Sequence, residues 1–346
     1  MIKAAKYSHL STKIRAMIGR MLTDEDYEKM LQLKDVKSVV LYLKNNTYYR
    51  VALETLNEQE IHRGHVEVLL YRAEITDALK ISRYLSGNEK KIFRFVYRKQ
   101  EIEDIKKMLR ILQRGASLDT LDRKRLFISK NSRIDFNKAL SAKTITELVK
   151  SISNTRFYEI LLPLILEENS IDLFAAEMAL DLYYFAMIKE QVKTLAHGKD
   201  REILKGFFGS EADIKNIMWI YRGRHYYKLS KEIIYRYLIP YGNRIKMTFI
   251  DALIEAPDEE RLVELIRSSP YNQVFDENPV RWELAFMRSF LQKQLNNLRI
   301  YPFSLAPIIG YIYAKESEIS NITTIIEGVR YEVSPDTMKT DLIIKV

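Results

Sequence analysis

One spacing recurs three times in this chain and limits what it can become. Phe136 is followed four residues later by Leu140, twelve further on by Ile152 and six further on by Tyr158. Tyr27, Leu31, Leu43 and Tyr49 keep the same steps, and so do Phe249, Leu253, Leu265 and Tyr271. Steps of four and twelve hold side chains near one face of an α-helix, which turns every ~3.6 residues. Each copy therefore reads as a helical unit burying the same apolar stripe. The copies start about 110 residues apart.

Local signals agree with helices at matching places. Tyr7 to Leu22 reads as an amphipathic helix, with Ile14, Met17, Ile18, Met21 and Leu22 on one side and Lys13, Arg15 and Arg20 on the other. Thr23-Asp24-Glu25-Asp26 opens the next helix with a capping residue and acids near the positive end of the dipole. One helix later the start signals are Asp35 in the first copy and Thr144 with Glu147 in the second. In the third they are Pro257, in a first-turn position, followed by Asp258 and Glu259. Each unit then enters a helical hairpin, with turns at Ser86-Gly87-Asn88, at His197-Gly198-Lys199-Asp200 and around Asn296 to Pro302.

Beyond each turn lies a second repeated block: Asp104-Ile105-Lys106-Lys107-Met108 with Gly115, Asp213-Ile214-Lys215-Asn216-Ile217 with Gly223, and Glu318-Ile319-Ser320-Asn321-Ile322 with Gly328. An acid, apolar steps and then a glycine describe a helix ended by a glycine C-cap. The loops 127–134 and 238–245 each deliver an Arg-Ile pair before the next frame, as Arg20-Met21 does before the first. The expected fold is all-α, one continuous body of three helical units, 1–130, 131–242 and 243–346. Such units can stack as a solenoid or close as a ring. Three long repeats without a polar capping repeat favour a closed, bowl-like body.

Glycine (11) and proline (8) are scarce among 346 residues, which disfavours a turn-rich β fold. With no cysteine, disulfides and thiolate metal sites are excluded, and a reducing compartment is the simplest expectation. The start lacks the apolar core of a secretory signal. No run has the ~18–20 uncharged residues of a membrane span. Tyr158–Leu166 and Met178–Ile188 read instead as buried core helices.

Catalytic motifs are missing: there is no phosphate-binding G-x-x-x-x-G-K-[ST], no G-x-G-x-x-G and no G-x-S-x-G. His62 and His65 have ligand spacing, but Gly64 lies between them and no third histidine is near, so a surface pair is the better reading. No catalytic residue, cofactor or metal site and no small-molecule substrate is expected. The net charge of +9 is spread along the chain, as on a solvated basic surface. The recurring acids Asp104, Asp213 and Glu318 fit either a ring of negative charge around a cavity or internal support of the helices. Cations alternate with aromatics in Lys90 to Lys99 and in Tyr221-Arg222-Gly223-Arg224-His225-Tyr226-Tyr227-Lys228, and Arg123-Lys124-Arg125 adds a third basic spot. Stacked bases over a charged groove would suit that pattern. So would amphipathic helices with their aromatics turned inward, which is the simpler account.

Several stretches resemble a known family. Tyr7, Lys13-Ile14-Arg15-Ala16-Met17 and Arg20-Met21-Leu22 carry the resemblance at the start, and the Tyr49 frame continues it. It runs on through Tyr221-Arg222-Gly223 to Ile239-Pro240-Tyr241-Gly242, and through Ala314-Lys315-Glu316-Ser317-Glu318-Ile319-Ser320-Asn321-Ile322. In their order and spacing these resemble the C subunit of bacterial and archaeal V-type (A/V-type) rotary ATPases, the counterpart of the eukaryotic d subunit. The chain departs from that pattern at Val329, where a lysine would follow the glycine, and at Tyr241, where a smaller residue is common.

The resemblance implies a pseudo-threefold, funnel-shaped central-stalk subunit without chemistry of its own. It implies a peripheral position on the cytoplasmic side of the membrane, with the shaft subunits D and F and the proteolipid rotor ring as partners and no nucleic acid. Asp104, Asp213 and Glu318, with Asn216, Asn321, Arg222 and Arg224, are the candidate partner-binding residues. The alternative is a helical-repeat scaffold that binds nucleic acid or an acidic partner through its basic aromatic stretches.

Overall fold

Residues 2–57, 61, 63–121, 132–275 and 278–344 are described by the computed structural model. Their helices are α1 (Ile2–Ile18), α2 (Asp24–Leu31), α3 (Val36–Asn46), α4 (Arg63–Ser82), α5 (Gly87–Phe93), α6 (Phe95–Gln113), α7 (Phe136–Leu140), α8 (Ile145–Ser151) and α9 (Arg156–Leu161). They continue with α10 (Leu173–Leu195), α11 (Gly198–His225), α12 (Lys231–Arg236), α13 (Met247–Glu255), α14 (Glu259–Arg267), α15 (Trp282–Ile300), α16 (Ala306–Arg330) and α17 (Pro335–Thr340). One short antiparallel hairpin interrupts them, β1 (Ile165–Glu167) on β2 (Ser170–Ile171), with Ile165 opposite Ile171. Among the described residues no helix is long and apolar enough to cross a membrane.

The caps explain where the short helices begin. Thr23 and Asp26 form a full capping box at α2. Asp35 accepts the Ser38 amide at 2.8 Å, and Thr144 accepts the Glu147 amide at 3.1 Å. At α14 the cap is Asp258, which accepts the Arg261 amide at 2.8 Å. Pro257 therefore precedes the cap instead of occupying the first turn.

The frame residues bury unequally. Tyr27, Leu31, Leu43 and Tyr49 are all buried, as are Phe136, Leu140 and Ile152. Tyr158, Phe249 and Leu265 are only half-buried. Their neighbours Phe157, Ile250 and Ile266 take the inward places, while Leu253 and Tyr271 keep theirs. Residues 158–166 do not form a buried helix. Pro163 breaks α9 into a tight turn that leads to β1, leaving Leu162 and Leu166 exposed. Met178–Ile188 does lie in a long helix, α10, with Leu180, Tyr184, Phe185 and Ile188 buried.

By compactness the chain forms two units: 1–89 with 197–203 and 266–346, and 90–196 with 204–265. In the first, α16 is the core helix, packed by α1, α2, α3, α4, α15 and α17. Its apolar face (Ile322, Ile325, Ile326) lies among Tyr27, Val40, Leu43, Tyr49 and Leu70, and each such aliphatic side chain contributes about 1.5–3 kcal/mol. α15 can approach closely because residue 310 is glycine; a Cβ there would stand 3.0 Å from the Gln294 carbonyl oxygen. α1 stops at Ile18, so Met21 and Leu22 sit in the following loop, not on the helix face. The tail packs back, with Leu342 and Ile343 buried.

In the second unit, α6 packs on α8 and α10. Arg110 makes a two-pronged bond to Glu177 at 2.6 and 2.7 Å, and Lys106 reaches Asp181 at 2.6 Å. Phe93, Phe95 and Tyr97 are buried while Lys90, Lys91 and Arg94 face solvent. The basic aromatic stretch there is an amphipathic segment. Gly115 ends α6 in the left-handed region (φ +71°), the expected C-cap glycine. Gly223 and Gly328 are not caps: both lie inside their helices. They serve close packing, because a Cβ would meet Ile234 of α12 at 3.3 Å and the Met338 sulfur of α17 at 2.2 Å.

Candidate functional site

The second repeated block supplies the most organised polar chemistry among the described residues. On α16, Lys315, Glu318 and Asn321 recur every three residues and so share one side of the helix. Lys315 and Glu318 are wholly enclosed. One Glu318 oxygen accepts the Leu22 amide at 2.6 Å. The other accepts the hydroxyls of Tyr49 (2.8 Å) and Tyr48 and lies 3.3 Å from the Lys315 ammonium. That ammonium donates to both tyrosine oxygens and stands 4.2 and 4.1 Å from the ring centres. Asn321 Oδ1 accepts the Ile343 amide at 2.7 Å.

Burial moves both charges away from their ionised forms. Loss of hydration pulls Lys315 down to about 8, with Glu318 working against the shift. Burial also raises Glu318, opposed first by Lys315 and then by the Leu22 amide. Both shifts say that attraction within the pair does not fully offset desolvation.

In the other unit, the same places on α11 hold Ser210, Asp213 and Asn216. Asp213 Oδ2 accepts three consecutive amides, from Asn243 (3.1 Å), Arg244 (2.7 Å) and Ile245 (3.3 Å). Gly242 allows the approach, since a Cβ there would fall 2.6 Å from Asp213 Oδ1. Ser210 Oγ accepts from the Asn243 side chain at 3.1 Å. Asn216 exchanges two bonds with the Ile239 main chain, at 3.0 and 2.8 Å. Each acid thus clasps the loop that precedes a frame. For Glu318 that loop lies 296 residues back, at the start of the chain.

Asp104, the first acid of the series, is fully buried beside Gln100 (3.0 Å) and Lys107 (3.7 Å). Arg123-Lys124-Arg125, much of loop 127–134 and His62 lie outside the described residues. Arg222 is exposed, and its carbonyl accepts the Tyr226 and Tyr227 amides at the end of α11. Arg224 is half-buried and donates to the Leu253 carbonyl at 3.0 Å. Neither arginine joins the clasps.

The hairpin turns are also linked, through Tyr7 and Asp200. The Tyr7 hydroxyl lies 3.2 Å from Glu89 Oε1 and 3.4 Å from Asp200 Oδ2. Asp200 Oδ1 accepts the Leu305 amide at 2.8 Å, and Lys199 sits over the Tyr301 ring. The turns after α4, after α10 and after α15 are thereby tied together within the first unit.

The sequence matches the ATP synthase (C/AC39) subunit family over residues 10–340. The chain belongs to this family. Among its relatives is the C subunit of the A-type ATP synthase of Methanocaldococcus jannaschii, 23% identical over 99% of this chain and 87% of its own. The corresponding A-type ATP synthase protein of Pyrococcus abyssi is 23% identical over 97% of this chain and 90% of its own. That of Halobacterium salinarum is 23% identical, covering 98% of each. Both clasps of this C/AC39 family member fall inside the matched span.

Sequence reasoning singled out the acids and both asparagines but not Lys315, Tyr48, Ser210, Gly242, Tyr7 or Asp200 as working members of these sites. Lys315 did carry a signal. It is the lone cation in the otherwise uncharged run from Ala306 to Lys315, and a charge in a buried helix needs a partner.

Proposed function

We propose that this protein is a non-catalytic central-stalk subunit of an A/V-type rotary ATPase. It acts as a socket that couples the shaft subunits D and F to the membrane proteolipid ring during H+ or Na+ transport. Units 1–130, 131–242 and 243–346 close pseudo-threefold into a funnel on the cytoplasmic side of the membrane. The observation that supports this reading most is the Glu318–Leu22 bond, together with the family membership. It fastens the last repeat to the loop before the first, as a closed ring requires and a solenoid does not. The linking of the three hairpin turns through Tyr7 and Asp200 supports it further.

Asp213 and Glu318, with Asn216 and Asn321, act on partner binding through the main-chain segments that they hold, and Asp104 acts from the corresponding place on α6. Arg222 and Arg224 add contact at the end of α11. Stiffness comes from packed helices with few glycines. Co-expression with the D–F pair followed by size-exclusion chromatography tests the reading: a stoichiometric complex is expected, and separate elution at low salt would overturn it.

A further inference from the structure

The linked hairpin turns of the first unit carry an exposed surface that the clasps do not use. α4 and α16 run antiparallel there: Tyr311 donates to Asp77 at 2.6 Å near one end, and Arg63 pairs with Glu327 near the other. The last turn of α4 therefore lies at the same end as the turn between α15 and α16. That turn is set from within. Asp200 accepts the Leu305 amide at 2.8 Å, and Ser304 Oγ donates to the Tyr301 carbonyl at 2.7 Å, while Leu298 and Leu305 fill the inward places. With those places taken, Ile300 (63% exposed) and Phe303 (52%) face solvent, as do Leu79 and Tyr84 at the end of α4. Charge completes the pattern. In segments 79–89, 197–203 and 296–305 the exposed cations are Lys80, Arg83, Lys199, Arg201 and Arg299, against the exposed acid Glu202 alone. They adjoin the apolar side chains in Leu79-Lys80, Arg83-Tyr84 and Arg299-Ile300, and Lys199 sits over the Tyr301 ring. Among the described residues, neither Arg83 nor Arg299 has a carboxylate partner.

We propose that this end of the first unit docks on an anionic lipid surface, where Ile300 and Phe303 enter the headgroup layer and the flanking cations meet lipid phosphates. Peripheral binding of this kind adds buried apolar area to attraction for anionic headgroups. Clusters of roughly four to eight cations suit it. A protein face fits less well, because interface cores are depleted of charge, and here cations adjoin Leu79, Tyr84 and Ile300 directly. Nucleic acid also fits less well: stacking needs aromatic planes, and Leu79 and Ile300 supply none.

Which face of the membrane is met rests on the socket reading, while the lipid affinity does not, so the two can fail separately. Co-sedimentation of the full chain is measured with phosphatidylcholine vesicles, with and without one-third phosphatidylglycerol. The test variants are Ile300→Ser/Phe303→Ser and Arg83→Gln/Arg299→Gln. The control, matched in charge, is Lys34→Gln/Lys37→Gln, beside the far end of α4, where Val36 and Arg63 line one cavity. The wild type is expected to bind anionic vesicles and to bind neutral ones far more weakly. Each test pair should weaken anionic binding roughly fivefold or more, and the loss in the glutamine pair should shrink as salt rises. The control should bind like the wild type, and melting temperatures should stay unchanged because the side chains are exposed. Equal weakening by the control, or wild-type affinity in either test pair, overturns the inference. If the test pairs lose affinity for the D–F pair while vesicle binding is unchanged, the surface serves a protein and the inference falls. A wild type that binds vesicles but not the D–F pair overturns the socket reading and leaves the lipid contact standing.

Discussion

The two clasps solve one electrostatic problem in different ways. Asp213 is held by geometry: three successive amides point at a single oxygen. Glu318 reaches just one amide, Leu22, and makes up the difference with a buried lysine and two tyrosine hydroxyls. The longer side chain spans to a loop from the opposite end of the chain, where no run of amides could be arranged by local turn geometry. A joint within one stretch can be built from backbone. A joint between distant stretches needs side chains, and with them comes an enclosed ion pair whose desolvation is incompletely offset.

The largest expected effect breaks that comparison directly. Glu318→Gln removes one partner of the enclosed pair and should cost about 3–5 kcal/mol in denaturant unfolding, because Lys315 is left without a counter-charge. Adding Lys315→Met should return most of the loss. Asp213→Asn should cost less, roughly 1–3 kcal/mol, since it weakens the bonds from the three amides. No change at Ser210 should rescue it. Equal losses at the two sites, or no rescue by Lys315→Met, would show that the clasps work alike.

A smaller effect concerns pH. The Lys315 value of about 8 lies below the ~10.4 of an unfolded lysine. Between those values the unfolded chain holds a proton that the folded chain lacks, so stability should rise with pH. The slope is at most about 1.4 kcal/mol per pH unit. It is best read by thermal melts between pH 8 and 9.5, below the range where unfolded tyrosines ionise. The rise should vanish in Lys315→Met and persist in Asp213→Asn.

Much of this was written locally in the sequence. Caps at Thr23, Asp35 and Thr144 and the turns at Gly87 and Gly198 follow from short-range chemistry, and the structure has them where the residues ask for them. The spacing of Asp213 to Asn216 and of Glu318 to Asn321 placed each pair on one helical face. What the acids bind was not legible, because Leu22 lies 296 residues from Glu318 and no local pattern encodes that meeting. Gly223 and Gly328 misled for a related reason. A glycine near a helix end satisfies a C-cap pattern, yet here α12 and α17 approach from elsewhere and need the missing Cβ. Pro163 and the hairpin at 165–171 were likewise hidden inside an apolar run that reads as helix.

Amide hydrogen exchange resolved to single residues tests the clasps most directly. In Glu318→Gln the Leu22 amide should lose protection while Asn243, Arg244 and Ile245 keep theirs, and Asp213→Asn should give the reverse. Unchanged Leu22 exchange in Glu318→Gln would contradict the fastening of the chain's two ends by this side chain.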